Sequence, residues 1–233
     1  MSASSIVRRV LDGSNYYIAS VKKHRKIKPD ISPVKINLGC GLAVASGWIN
    51  IDASLNSFFA KWPTRVLKTV YRASGAKQWY TEDQYLRIIK EHQFLHHNLD
   101  YGIPLPDASV DYIYSSHWLE HLHREDAARL LSEAHRVLKP GGCIRICVPD
   151  LEHAVRQYLD GNKEHALSYF FCASKNGALG RHHYLYDYEL LAALFTKTNF
   201  EQVTRCAYRQ GQTPDIDKLD NRPEETLYME AVK

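Results

Sequence analysis

The 233-residue sequence lacks any apolar run approaching the ~20 residues that cross a bilayer, so no membrane-spanning helix is expected. Its first residues, MSASSIVRRVLDGSNYY, lack the apolar core of a secretory signal. Five cysteines (Cys40, Cys143, Cys147, Cys172 and Cys206) include no C-x-x-C pair. An odd number placed mostly in predicted strands points to buried free thiols in a reducing cytoplasm. The net charge of +4 is too small to argue for a nucleic-acid partner. Internal repeats and low-complexity segments are absent. The composition is that of an ordinary globular protein, 45% hydrophobic and 24% charged, long enough for one large domain.

The most informative stretch is KINLGCGLAVASGWINID, Lys35 to Asp52. Val34 to Leu38 reads as a buried strand running straight into Gly39-Cys40-Gly41. Two glycines one residue apart permit a sharp turn and let a ligand lie against bare peptide groups. Trp48 to Ile51 reads as a second strand, ending on the carboxylate of Asp52. In an open parallel sheet, ligands bind beyond the carboxyl ends of the strands, and an acidic residue there suits the hydroxyls of a ribose. A dinucleotide fingerprint does not fit, because Val44 occupies the third glycine position and Asp52 comes too early. The link from Gly41 to Trp48 is too short for a full helix.

Residues 1–30 read as an N-terminal helical extension whose helix ends near Ile27, with Pro29 and Pro33 leading into the first strand. The basic run Lys22–Lys28 reads as a solvated helix end, with peripheral contact to an anionic membrane surface as the alternative. Between Asp52 and Gln93, Thr81-Glu82-Asp83-Gln84 is a capping-box helix start. The surplus over about 55–80 reads as an inserted cap, whose aromatics either wall an acceptor pocket or form their own small core. Gln93–His97 is expected to be a third strand delivering Asn98 and Leu99 to the crevice. Val110–Tyr114 is a fourth strand, opening into Ser115, Ser116 and His117. A helix carrying Ala127, Leu130, Leu131, Ala134, Val137 and Leu138 comes next, then a fifth strand over Cys143–Val148. Helical stretches to about Cys172, a loop over Ser174–Arg181, a helix capped by Asp187, and two last strands near 202–208 and 226–232 complete the chain. The link 212–225 is given no role.

These motifs, in this order, resemble the class I S-adenosylmethionine-dependent methyltransferases, and most closely the type 11-like bacterial members with LGCG followed by GWxNxD. The resemblance covers about Lys35 to Asp150. It implies a Rossmann-like α/β fold, with a seven-stranded, mostly parallel sheet, an antiparallel last strand, and helices on both faces. The methyltransferase domain would span 31–233. It also implies S-adenosyl-L-methionine as cofactor, touching Asn37, Leu38, Gly39, Cys40 and Gly41 with its methionine end. Asp52 would take the ribose, Asn98 and Leu99 the adenine, and Ser115, Ser116 and His117 would line the reacting end. Most of the class carries an acidic residue at the position of Asn37 and a third glycine at that of Ala43. The acceptor implied is a small molecule or glycan, with a hydroxyl as nucleophile and no nucleic acid as partner.

A hydroxyl nucleophile is helped by a general base, and imidazole titrates near working pH. His117, directly after the fourth strand, is the first candidate, followed by His182 and His183, with His121 as a further one. A different class is spelled by His117-x-x-Glu120-His121, which reproduces the inverted zinc-protease motif. That zinc hydrolase reading is set aside, and no metal is expected. The motif begins where a strand ends, no third ligand is evident on a later helix, and the glycine turn and Asp52 would go unused. A catalytically inactive cofactor-binding partner subunit, allowed by Asn37 and Asn98, is a non-enzymatic alternative, and a nicotinamide-dependent reductase is the remaining enzyme rival.

Overall fold

The structure is a computed structural model that describes Val21, residues 26–171 and residues 181–233. Most of the expected N-terminal extension and of the run Lys22–Lys28 lies outside the described residues, as do Cys172 and nearly all of Ser174–Arg181. Residues 26–30 are not helical, so the expected helix does not reach Ile27; its N–H instead donates to the Pro104 carbonyl at 2.8 Å.

Seven strands form one sheet: β1 Lys35–Leu38, β2 Ile49–Asp52, β3 Gln93–His96, β4 Val110–Ser116, β5 Leu138–Pro149, β6 Glu201–Cys206 and β7 Thr226–Val232. Their order is β3-β2-β1-β4-β5-β7-β6, and β7 runs antiparallel to both neighbours. The inner strands carry β-branched and apolar residues because helices cover both faces. Ile36, Leu38, Ile49, Ile51, Ile113 and Ile144 are all buried. The strand order reverses at β1, which is flanked by β2 and β4. The crevice at that switch point is where a ligand fits an open α/β sheet.

The helix Arg124–Val137 buries the apolar positions its periodicity predicts, Ala127, Leu130, Leu131, Ala134 and Val137. Its axis carries the chain back from β4 to β5. β5 begins earlier than the sequence suggests. Leu138 is already extended and pairs with Val110 across an irregular register, so Lys139 to Gly142 are absorbed into the strand. No helix lies between β1 and β2.

Between β2 and β3 lie helices Leu55–Phe59 and Thr64–Ala73, a 3-10 turn Gly75–Gln78, and the helix Glu82–Glu91. The last starts on a full capping box, with Thr81 and Gln84 each bonding the other's backbone N–H. The aromatics here divide. Tyr71, Tyr80, Tyr85 and Phe59 pack into a cluster with Leu67, Ile89 and Phe94. Phe58 and Trp62 instead line an open cleft with His96 and Ile27.

The segment after β6 is fastened from beneath by a buried arginine. Arg145 of β5 is fully buried and donates to Asp220 through Nε (3.1 Å) and Nη2 (2.7 Å), and to Glu230 through Nη1 (3.1 Å). It also donates to the carbonyls of Ala207 and Gln210. Glu230 accepts in turn from the N–H groups of Gln212 and Thr213. Every charge in this group is therefore hydrogen-bonded, the condition under which a buried ion network is tolerated.

Candidate active site

The glycine turn after β1 is built as its sequence requires. Gly39 and Gly41 have φ of +63° and +51°, the left-handed region that disfavours any Cβ. A Cβ on Gly41 would meet nothing within 4 Å, so the peptide there faces open space. On Gly39 a Cβ would stand 2.2 Å from the Trp118 indole, which covers the turn from the β4 side. The Asp52 carboxylate reaches back from the end of β2. Its Oδ2 accepts from Gly41 N–H at 2.9 Å and its Oδ1 from Ser54 N–H at 2.6 Å. Burial first, and then the charge of Asp52, push the Cys40 thiol well above its ordinary range, which keeps it protonated.

Asn37 is buried and donates its amide to the Ala43 carbonyl (2.8 Å) and to Asn50 Oδ1 (3.2 Å), so it secures the far side of the turn. Asn98 caps a 3-10 turn over Leu99–Tyr101. Its Oδ1 accepts from Asp100 N–H and its Nδ2 donates to Asp100 Oδ2, each at 3.0 Å. Leu99 is buried and forms one wall of a cleft shared with Asp100, Tyr101, Trp118 and Leu122. Leu38 and Ser115 are buried, and Ser116 is half-buried at the end of β4.

His117 leaves the strand in a left-handed conformation, φ +51°, while its N–H extends the ladder to the Cys147 carbonyl. A non-glycine residue held there costs about 1–2 kcal/mol, and such outliers gather at functional sites. The ring is gripped on both sides. Nε2 lies 3.0 Å from Thr226 Oγ1, and Nδ1 lies 3.5 Å from both Glu120 Oε1 and Arg222 Nη1.

Glu120 stands at the middle of a histidine cluster. It sits on the 3-10 turn Leu119–His121, buried. Its backbone carbonyl accepts from the N–H groups of His183 (2.8 Å) and Tyr184 (3.3 Å), which draws the distant 181–184 segment against it. Three of the four candidate histidines therefore converge: His117, His121 and His182 all turn a ring nitrogen toward Glu120. Burial lowers the His182 pKa, favouring its neutral form. The fourth, His183, stacks on His123 instead, with ring centroids 4.1 Å apart.

Sequence reasoning missed Trp118 as part of the site, because its role comes from contact with Gly39 and carries no local signal. Glu120 is named by the sequence in the H-x-x-E-H spacing, without its place at the centre of the histidines.

A family profile described as a methyltransferase domain matches residues 37–146. A curated relative, a probable S-adenosylmethionine-dependent methyltransferase of Mycolicibacterium smegmatis, is 46% identical over 48 residues. That match spans 21% of this chain and 18% of the relative. A solved SAM-dependent methyltransferase from Thermotoga maritima, described as a possible histamine N-methyltransferase, aligns with 98% of this chain and 91% of its own. The identity is 16% and the TM-score 0.50. A possible exported protein from Bordetella parapertussis aligns over 95% of this chain and 67% of its own, at 11% identity and TM-score 0.51. Identities this low establish the fold alone. The profile runs from Asn37 to Ile146 and so takes in the glycine turn, Asp52, Asn98 and His117. Residues 37–146 match a methyltransferase domain, and the matches together support a class I S-adenosylmethionine-dependent methyltransferase.

Proposed function

We propose that the chain transfers a methyl group from S-adenosyl-L-methionine to a hydroxyl oxygen of a small-molecule or glycan acceptor. One observation carries this reading. The open glycine turn and the Asp52 carboxylate meet at the ends of β1 and β2, and the His117–Glu120 pair stands at the end of neighbouring β4. The residues suit the cofactor. Gly41 faces empty space, and a carboxylate offers about four acceptor positions, of which the turn uses two.

In this reading Asn37, Leu38, Gly39, Cys40 and Gly41 hold the methionine end, Asp52 the ribose, and Asn98 and Leu99 the adenine. Ser115, Ser116 and His117 border the reacting end. The bound sulfonium supplies an electrophilic methyl group, so the protein's main task is alignment and exclusion of water. His117 takes the acceptor's proton, and the Glu120 carboxylate at 3.5 Å stabilises the imidazolium that results. His121 and His182 complete the polar wall around Glu120. The four described cysteines are free, which agrees with a reducing cytoplasm, and no described helix is long and apolar enough to cross a membrane.

Calorimetric titration with S-adenosylhomocysteine tests the cofactor, and S-adenosylhomocysteine release across a panel of hydroxyl acceptors tests the reaction. His117→Ala should slow turnover by roughly 100-fold while leaving cofactor affinity nearly intact. Binding without turnover on any acceptor would favour the inactive cofactor-binding partner subunit, and failure to bind S-adenosylhomocysteine would leave only a scaffold.

A further inference from the structure

Glu120 presents an electrostatic problem that the methyl-transfer reading does not solve. Its side chain is 1% exposed, and neither carboxylate oxygen has a hydrogen-bond partner among the described residues. A buried carboxylate left in this condition costs several kcal/mol and requires a compensating charge. The ring nitrogens that face Oε1 are His117 Nδ1 at 3.5 Å and the Nε2 atoms of His121 and His182, both at 4.0 Å.

The two Nε2 atoms are prepared in the same way. His121 Nδ1 lies 2.9 Å from the Arg181 carbonyl, and His182 Nδ1 lies 2.6 Å from the Tyr169 carbonyl. A carbonyl can only accept, so both Nδ1 atoms carry hydrogen. In the neutral rings each Nε2 is then a bare lone pair turned toward the carboxylate. With both rings in the neutral form that ligates a metal, three acceptors face one another with no donor between them. Their ligand atoms all lie within 4.8 Å of one another.

From this convergence we propose that Glu120, His121 and His182 bind a divalent transition-metal ion of the zinc class through one carboxylate oxygen and two Nε2 atoms. Two imidazoles with one carboxylate suit Zn2+ or Fe2+, whereas Mg2+ and Ca2+ favour oxygen ligands throughout. The backbone carbonyls behind both Nδ1–H groups supply the outer shell that fixes a ligating histidine's tautomer and orientation. Zinc bonds of 2.0–2.2 Å place tetrahedral ligand atoms about 3.4 Å apart, so the present 4.0 Å gaps must close by about half an ångström. The ligand set differs from the H-x-x-E-H hydrolase reading. His117 is held by Thr226, and the third ligand comes instead from the 181–184 segment. With only three protein ligands, a coordination position remains for an oxygen ligand. Using that position for the acceptor's hydroxyl would rest on the methyl-transfer reading; the site itself does not.

The test uses the full chain, freed of metal by a chelator and then titrated with Zn2+ by calorimetry and with Co2+ by visible absorption. One equivalent should bind. Glu120→Gln and His182→Ala should each weaken binding beyond the roughly 100-fold that outer-shell changes reach, and His92→Gln should not alter it. Failure of the wild-type chain to bind Zn2+ or Co2+ would overturn the site whether or not the variants fold, leaving a histidine–carboxylate cluster. Stoichiometric binding that survives in both ligand variants would overturn it equally. S-adenosylhomocysteine titrated into the same samples separates the two readings: cofactor binding without metal binding removes only the metal.

Discussion

Replacing Asp52 tests the cofactor reading most directly, because its carboxylate braces the glycine turn and, in the proposed function, also takes the ribose. In the free protein it accepts from Gly41 N–H at 2.9 Å and Ser54 N–H at 2.6 Å. Hydrogen bonds to a charged group are worth about 1.5–3 kcal/mol each, but this side chain is only half-buried, which favours about 2 kcal/mol for the pair. In a chain of this length that corresponds to a fall in Tm of about 4–8 °C for Asp52→Ala. The second duty appears only with ligand. Losing a charged acceptor for the ribose hydroxyls should weaken S-adenosylhomocysteine by about 1–3 kcal/mol, roughly 5- to 150-fold. Asp52→Asn keeps one acceptor oxygen and should fall between the two. Differential scanning calorimetry reads the first effect and titration calorimetry the second. A variant with the lowered Tm but wild-type affinity would show that the carboxylate only braces the turn, and the ribose assignment would fail.

Gly39→Ala forces a Cβ into a left-handed position against the Trp118 indole. It should lower both Tm and cofactor affinity, and Trp118→Ala in the same chain should recover part of the Tm. Arg145→Met leaves Asp220 and Glu230 buried without their cation and should cost about 3–5 kcal/mol by denaturant unfolding. A loss under 1 kcal/mol would contradict that account. Burial depresses the His97 pKa below its ordinary value of 6.5, so the unfolded state binds the extra proton first. Stability should therefore be complete above pH 6.5 and fall as the pH drops toward the folded value. His97→Gln should flatten that part of the Tm–pH curve, and an unaltered curve would exclude His97 as its source.

What the sequence revealed was local. A strand, two glycines at fixed spacing and a carboxylate at the next strand end lie within one short stretch, so their meeting needs no long-range information. Periodicity likewise placed the helix Arg124–Val137, whose five buried residues all came from its apolar positions. The capping box at Thr81 and the Asp187 cap were equally readable. The histidine cluster was not, because His182 reaches Glu120 only through backbone bonds between segments far apart in the chain. Asn98 was legible only as a strand-end residue; its bonds to Asp100 over the turn Leu99–Tyr101 carry no sequence signal. The Arg145 clamp leaves no sequence signal either, because its partners at Ala207, Gln210, Asp220 and Glu230 lie far along the chain.

The clamp around Arg145 has an effect beyond the place where it acts. It locks the stretch from Ala207 to Asp220 onto the floor of the sheet, so the few residues before β7 have little slack. Those residues deliver Thr226, which holds the His117 ring at Nε2 opposite its contact with Glu120, and Arg222, which stands beside that contact at Nδ1. Deleting one residue anywhere in 221–225 would drag Thr226 out of step with β5 and set the imidazole loose. Such a change would silence the site from outside it, with the glycine turn and its carboxylate untouched.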